Sequence, residues 1–165
     1  MRSIGILILA IIITIGRANA QSGNSASWPL RVLGKPAATV ARRLGKPIET
    51  KGAGEQFVQV YKRSPYKSVQ LVYGPNLGGV KVVDVVLELS SSPGTWQKAL
   101  SIFGISPVGA ITRESGGYTE VKGLKALPAK WIFSLGPNRD SNTTNIHFIH
   151  RTELSLNDKW YGPVN

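Results

Sequence analysis

Apolar residues follow a helical spacing near the start of the domain. Between 37 and 44 they recur at i, i+3, i+4 and i+7, at Ala37, Val40, Ala41 and Leu44. Pro36 is suited to the first position of a helix, while Gly45 and Pro47 are suited to ending one. We therefore predict a helix over 36–44. So short a helix is unstable alone, and we expect its apolar face to pack on a sheet.

After Pro47 the apolar residues recur at every second position, which is the period of a strand with one buried face. This spacing predicts three strands, at 56–63, 69–73 and 80–89, separated by turns that contain proline or glycine. The last strand places Asp84 and Glu88 on one face and a set of apolar side chains on the other, namely Val83, Val85, Leu87 and Leu89. We expect an antiparallel meander that is covered on one side.

The second half of the chain repeats this order. A helix is predicted over 95–103, and its apolar positions match those of the first helix at a distance of 59 residues: Trp96, Ala99, Leu100 and Phe103. Strands are predicted at 118–121, 129–135 and 145–154. Gly-Pro-Asn occurs at 74–76 and 136–138, and Glu-Leu-Ser at 88–90 and 153–155. This order favours a duplication, and the alternative is one continuous sheet with two helices of separate origin.

The predicted fold class is therefore α+β: an antiparallel sheet with short helices on one face, built as a tandem repeat of a helix and three strands. The halves are expected at 28–92 and 93–157, within a single domain that spans 28–165.

A short phrase carries a resemblance to known proteins. Leu-Gly-Lys-Pro occurs at 33–36 and again at 44–47, on either side of Val40, and is followed by Tyr61 and a valine-rich strand. This resembles the small exported domains grouped with outer-membrane assembly lipoproteins of the SmpA/OmlA type and with the beta-lactamase-inhibitor-protein-like (BLIP-like) fold. The resemblance implies helices paired with an antiparallel sheet, repeated in tandem in the inhibitor type, and protein binding rather than catalysis. A lipidation cysteine and the inhibitor contact residues have no match in this chain.

The first twenty residues combine Arg2, an apolar run over 4–15 and the triplet Ala18-Asn19-Ala20. This is typical of a secretory signal that is cleaved after Ala20. The alternative, an uncleaved membrane anchor, needs an apolar run of about 20 residues. We expect residues 1–20 to be a signal peptide and 21–27 a flexible leader. The mature protein would be periplasmic or secreted, with no stable membrane span.

The net charge of the chain is +11. Removal of Arg2 and Arg17 leaves +9, of which +7 lies between Arg31 and Lys67. Such an excess attracts anionic partners through a field that salt screens. The candidates are an anionic lipid, a phosphorylated glycolipid, a wall polymer or an acidic protein face, and the alternative is a role in solubility alone. Nucleic acid fits the charge but not the export signal.

Aromatic and basic residues alternate around the predicted turn at 64–67, next in sequence to the basic face of the first helix. Since tyrosine and arginine are frequent at binding hot spots, we predict a contact surface formed by Arg42, Arg43, Lys46, Tyr61, Lys62, Arg63, Tyr66 and Lys67. In the alternative interpretation, Tyr61 belongs to the core and the cations only protect an edge strand from pairing.

The residue types that catalysis needs are not combined in this sequence. The chain has no cysteine, which excludes thiol chemistry, disulfides and thiolate metal sites. His147 and His150, three apart on a strand, point to opposite faces. Ser64 and Lys67 fit Ser-x-x-Lys but lie in a proline-containing turn without the companion motifs. We therefore expect no catalytic residue, metal or cofactor. We expect a non-enzymatic protein that binds a protein partner, with polyanion binding as the alternative.

Overall fold

The computed structural model describes residues 27–75, 77–138 and 142–151. The predicted signal peptide, its cleavage site at Ala18 and Ala20, and nearly all of the leader lie outside these ranges. The helices and strands are α1 (Ala37–Leu44), β1 (Glu49–Ala53), β2 (Gln56–Tyr61), β3 (Ser68–Gly74), β4 (Lys81–Leu89), α2 (Trp96–Ile102), β5 (Ile111–Ser115), β6 (Tyr118–Lys122), β7 (Trp131–Asn138) and β8 (Thr143–His150).

The eight strands form one antiparallel sheet in the order β1-β2-β3-β4-β8-β7-β6-β5. Each half of the chain supplies one helix followed by a four-stranded meander, and the two meanders meet where β4 pairs with β8. The predicted α+β fold and the repeated order of helix and strands are confirmed. The predicted number of strands in each half is wrong, because each half has four.

The two strands that sequence periodicity missed, β1 and β5, are the edges of the sheet. All five residues of β1 are exposed, and those of β5 are exposed or half-buried. An edge strand with both faces in water has no need of alternating apolar residues, so its sequence carries no period of two.

Several boundaries also differ from the prediction. The second Gly-Pro-Asn lies within β7, and β8 begins at Thr143 and ends at His150. Its predicted continuation to 154, with the second Glu-Leu-Ser, lies outside the described residues, as does Asn76 of the first Gly-Pro-Asn. A single turn of 3₁₀ helix, Pro29–Arg31, precedes α1.

The hydrophobic core lies between the sheet and the two helices. Val40 of α1 and Ala99 and Leu100 of α2 are fully buried in it. The strands contribute their alternate residues, chiefly Val69, Leu71 and Tyr73 from β3, Val85 and Leu87 from β4, Phe133 and Leu135 from β7, and Ile146 and Phe148 from β8. The Phe148 ring meets those of Phe103 and Phe133 edge-on, at centroid distances of 5.1 and 5.6 Å. Both helices therefore pack against the sheet. This is the arrangement expected from the short apolar face of α1.

A β-bulge changes which residue of β4 enters this core. Leu71 pairs with Val85 and Val72 with Asp84, but Tyr73 pairs with Val82, so Val83 is the additional residue. Since directly paired residues share a face, Val82 lies on the core side with Tyr73. Sequence periodicity did not predict Val82 in the core, and the bulge adds it there, while Val83 is itself fully buried. The placement of Asp84 and Glu88 on the other side is confirmed.

Candidate functional site

The side of the sheet opposite the helices, termed here the open face, is built from the alternate residues that do not enter the core. One row crosses it from β1 to β5 through Glu49, Val60, Gln70, Val86, His147, Ser134, Glu120 and Arg113. A second row runs beside it through Lys51, Val58, Val72, Asp84, Ile149 and Ile132.

The centre of the open face is apolar. Val58, Val60, Val72, Val86 and Ile149 are all half-buried, and none of them is part of the core beneath the helices. Neither described helix lies over them. A mixed apolar and polar surface of this kind resembles the surfaces through which proteins bind one another.

Four acidic side chains of the described residues lie on the open face, and each has a basic partner. The distances are 3.3 Å from Lys51 Nζ to Glu49, 3.2 Å from Lys67 Nζ to Glu88 and 2.7 Å from Arg113 Nη2 to Glu120. The fourth pair, described next, joins Asp84 to an imidazole. The open face is therefore close to neutral, although the chain as a whole is strongly basic.

One side of the His147 imidazole contacts a carboxylate. Its Nδ1 lies 2.9 Å from Oδ2 of Asp84, whose side chain is mostly buried. On the other side the His147 ring borders a pocket of about 190 Å³ that is also lined by Tyr118, Glu120, Ile132, Ser134 and Ile149. We call this the β6–β8 pocket, because β6, β7 and β8 supply its walls. The Tyr118 ring meets His147 edge-on at 5.7 Å, and its hydroxyl donates a hydrogen bond to the Pro137 carbonyl.

Asp84, His147 and Ser134 are neighbours across the sheet, as the acid, base and nucleophile of a hydrolase triad are. Their setting differs from that of a triad. Ser134 lies in the middle of β7 and is paired with Glu120 on one side and His147 on the other. The backbone N–H groups at such a position bond within the ladders, so they do not form an oxyanion hole, which is where an acyl-transfer enzyme stabilises its transition state. The described residues therefore do not complete the site of such an enzyme.

The predicted contact surface is changed most by its two tyrosines. Tyr61 and Tyr66 are buried, with 2% and 7% of their surface exposed. The hydroxyls of Tyr61 and Tyr73 both donate to Oε1 of Gln59 at 2.9 Å. Burial raises the pKa of Tyr61 and of Tyr66, and burial together with the neighbouring Tyr61 raises the pKa of Tyr73. The interpretation of Tyr61 as a core residue therefore describes the structure, and the expectation that the two rings form surface contacts is corrected.

The cations of the β2–β3 turn point to different sides of the sheet. The Arg63 guanidinium stacks on Trp28 at 5.3 Å from the ring centroid, and Trp28 meets Tyr66 edge-on beside the core. Lys67 instead reaches Glu88 on the open face. Lys62 is exposed and, like Arg42, Arg43 and Lys46, has no acidic partner in the described part of the chain. The structure thus places the residues of the predicted contact surface on different sides of the sheet and does not bring them together.

The basic residues of α1 lie on the helix side. Arg42 and Arg43 are exposed in its last turn, and Lys46 is exposed just beyond Gly45, which ends the helix at a φ of 83°. Cations at the C-terminal end of a helix interact favourably with its dipole. These three exposed cations therefore lie on the side of the sheet away from the open face.

The remaining candidates for chemistry are separated from one another. The side chain of His150 is buried against Trp131, at a ring distance of 5.3 Å, whereas His147 lies on the open face. Ser64 lies in the exposed β2–β3 turn. Within the described ranges no group of three histidine, cysteine or acidic residues is placed to hold a metal ion. No helix in those ranges is long and apolar enough to cross a bilayer.

The β6–β8 pocket was missed because its six residues come from three strands, alternate with core residues, and meet only through pairing. A weak signal exists in β8, where apolar Ile146 and Phe148 alternate with Asn145 and His147. That alternation identifies an outward face but not its neighbours across the sheet.

The chain shows little similarity to known proteins. No family model matches the chain, and no curated protein matches it. Among solved structures, the chain is similar to the crystal structure of a cysteine-rich secretory protein from Staphylococcus aureus subsp. aureus Mu50, with 14% sequence identity and a TM-score of 0.41. The match covers 82% of this chain and 48% of that one, so this chain spans about half the length of the staphylococcal protein.

Proposed function

We propose that this protein is an exported, non-enzymatic binding protein of the bacterial envelope or the extracellular space, and that its open face engages a protein partner. Its role would be that of an inhibitor or an assembly accessory. The observation that carries the proposal is the open face itself, where half-buried valine and isoleucine side chains cross the sheet and neither of the described helices covers them. The resemblance of the Leu-Gly-Lys-Pro phrases to the SmpA/OmlA-type and BLIP-like domains points to the same class of function.

The charges on the open face support a protein partner over a polyanion. Each of the four acidic side chains that the structure describes on this face has a basic neighbour, as in the Arg113–Glu120 pair. A polyanion gains its affinity from unbalanced cations, whereas the core of a protein interface is depleted in charge and enriched in apolar and aromatic groups. The apolar centre of the open face matches this second composition, and the charged side chains around it are paired.

A second candidate function is favoured by the helix side. Arg42, Arg43 and Lys46 are exposed there and have no acidic partner among the described residues. An anionic lipid, glycolipid or wall polymer would bind to this side through a salt-sensitive attraction.

The test is affinity capture from an envelope extract at low and high salt, with the protein expressed with its own N-terminal residues. One variant, Val60→Arg/Val86→Arg, places two cations on the open face. Its matched control, Ser91→Arg/Gln97→Arg, adds the same charge at exposed positions in and before α2. We expect a stoichiometric protein that resists high salt, is lost with the open-face variant and is kept with the control.

A different result would contradict the proposal. Diffuse capture that disappears at high salt and with Arg42→Glu/Arg43→Glu favours the polyanion function. The same extract tests export, because the intact mass of the recovered protein should correspond to a chain that begins at Gln21. A mass that retains residues 1–20 would show that the signal is not cleaved.

A further inference from the structure

We propose that the β6–β8 pocket receives a tyrosine side chain of the protein partner. This inference rests on the proposed role of the open face and names the residue that anchors there. The pocket opens on that face beside the apolar rows, and its walls include Ile132, Ile149 and the Tyr118 ring.

The size of the pocket favours a side chain over a free ligand. Its volume is about 190 Å³, whereas pockets that bind drug-sized molecules and cofactors measure about 300–1,000 Å³. Interface hot spots are commonly single aromatic side chains inserted in desolvated pockets. The two isoleucines offer apolar surface to the faces of a ring, and a ring brings a large contact area for few rotatable bonds.

The charges at the pocket favour a neutral occupant. Oε2 of Glu120 accepts hydrogen bonds from Arg113 Nε at 3.1 Å and from Nη2 at 2.7 Å. The Asp84 carboxylate is likewise engaged by His147. A lysine or a carboxylate in the pocket would add a charge with no counterpart to a largely apolar space, and that costs free energy.

The polar atoms at the pocket favour an occupant that carries a hydroxyl. Asp84 accepts from Nδ1 on the β4 side of His147, so Nε2 is the ring nitrogen on the side of the pocket. A phenol hydroxyl both donates and accepts hydrogen bonds, so it can pair with Nε2 in either protonation state of the ring. In the described structure neither Nε2 nor the Ser134 hydroxyl has a hydrogen-bond partner. A phenol can bond to Nε2 and to Ser134, whereas a phenylalanine ring would bury both atoms without a partner.

The experiment uses three soluble probes on the whole exported protein: N-acetyltyrosinamide, N-acetylphenylalaninamide and N-acetyllysinamide. Binding is followed by two-dimensional NMR of the backbone amides and of the histidine rings. We expect the tyrosine probe to bind about five- to tenfold more tightly than the phenylalanine probe, the difference that one net hydrogen bond supplies. The shifted resonances should be those of Ser134, His147 and Ile149. Equal binding of the two aromatic probes, or preferred binding of the lysine probe, would overturn the proposal.

Two variants locate the site. Ile149→Phe fills the pocket and should abolish binding, while Val60→Phe makes a similar enlargement elsewhere on the open face and should leave binding unchanged. Ser134→Ala should reduce the preference for tyrosine over phenylalanine and retain the fold, which the amide spectrum reports. Tyrosine binding that survives Ile149→Phe in a folded protein would show that the pocket is not the site.

The same variants separate this inference from the proposed function. If Val60→Arg/Val86→Arg abolishes protein capture and Ile149→Phe does not, the open face binds a protein and the tyrosine anchor is wrong. If the tyrosine probe binds in the pocket while no protein is captured on the open face, the pocket recognises the ring and the proposed function is wrong.

Discussion

Nδ1 of His147 lies 2.9 Å from Oδ2 of Asp84, and this contact joins the two halves of the protein. Asp84 belongs to β4 of the first half and His147 to β8 of the second, next to each other at the centre of the sheet. Only 8% of the surface of Asp84 is exposed, so its carboxylate depends on partners within the protein. The contact fixes the position of the ring that borders the β6–β8 pocket. It also links β4 to β8 through their side chains.

The first prediction concerns this contact. His147→Leu removes a partner of a buried carboxylate, so the free energy of unfolding should fall by about 1–3 kcal/mol. Asp84→Asn/His147→Leu should lose less than the two single changes added together, because the second change no longer breaks the same contact. Urea unfolding of the four proteins measures this, and strictly additive losses would show that the pair is not coupled.

The second prediction concerns the core beneath the helices. Phe148 is fully buried and touches Phe103, just beyond α2, and Phe133 of β7 edge-on. Phe148→Ala should lower the free energy of unfolding by about 3–5 kcal/mol, since the cavity is enclosed on both sides. Phe57→Ala in β2 is the matched control. Phe57 is only half-buried and stacks on Tyr73 at 4.4 Å, so its loss should be smaller. Equal losses would contradict the assignment of Phe148 to the centre of the core.

The period of the apolar residues was sufficient to predict the fold where one face of an element is buried. It identified both helices and the central strands, because Val69, Leu71 and Tyr73 pack against the helices while the residues between them do not. It failed at β1 and β5, which have no buried face. It also failed to predict Val82 in the core, since a bulge is set by strand pairing and leaves no mark on local periodicity.

The candidate site was much less predictable than the fold. Interleaved rings and cations indicated a surface at 61–67, but Tyr61 lies on the inward face of β2 and Tyr66 packs against Trp28. The pocket depends on Ser134 and His147 lying opposite each other. That juxtaposition follows from the register of β7 and β8, which a single sequence does not specify when both strands alternate over the same length.

The third prediction concerns alkaline pH. The pKa values of Tyr61, Tyr66 and Tyr73 are raised in the folded protein, with burial as the main cause, whereas an unfolded chain ionises its tyrosines near pH 10. Above that pH the unfolded state has released protons that the folded state retains, so stability decreases as pH rises. Their contribution is complete below about pH 10 and is lost as pH rises through the folded-state pKa values.

Urea unfolding at several pH values from 9 to 11, with tyrosinate absorbance followed in parallel, measures this effect. Tyr73→Phe should make the stability of the protein less dependent on pH over this range, because it removes one of the three phenols. A slope as steep as that of the unchanged protein would mean that Tyr73 ionises equally in both states.

The fourth prediction tests the wall of the pocket. Tyr118 of β6 lies across Gly136 of β7, and a Cβ atom at Gly136 would overlap the Tyr118 ring. Gly136→Ala should therefore displace the ring, lower the free energy of unfolding by about 1–3 kcal/mol and weaken binding of N-acetyltyrosinamide. The double variant Tyr118→Ala/Gly136→Ala is the control, because without the ring the added methyl should cost little more than Tyr118→Ala alone. An equal cost of Gly136→Ala in both backgrounds would place the clash elsewhere.

The fifth prediction separates the two sides of the sheet. Arg42→Glu/Arg43→Glu should lower the salt concentration at which the protein elutes from a polyanion column, because these exposed cations have no acidic partner in the described chain. Lys51→Glu is the matched control on the open face, where Lys51 is already paired with Glu49, and it should shift elution less for each charge reversed.

Binding of N-acetyltyrosinamide should be unchanged by the α1 variant, since the helix and the pocket lie on opposite sides of the sheet. If reversing the α1 charges weakened the tyrosine probe as much as the column, the two sides would not be independent. The near-neutral open face would then not be a separate binding surface.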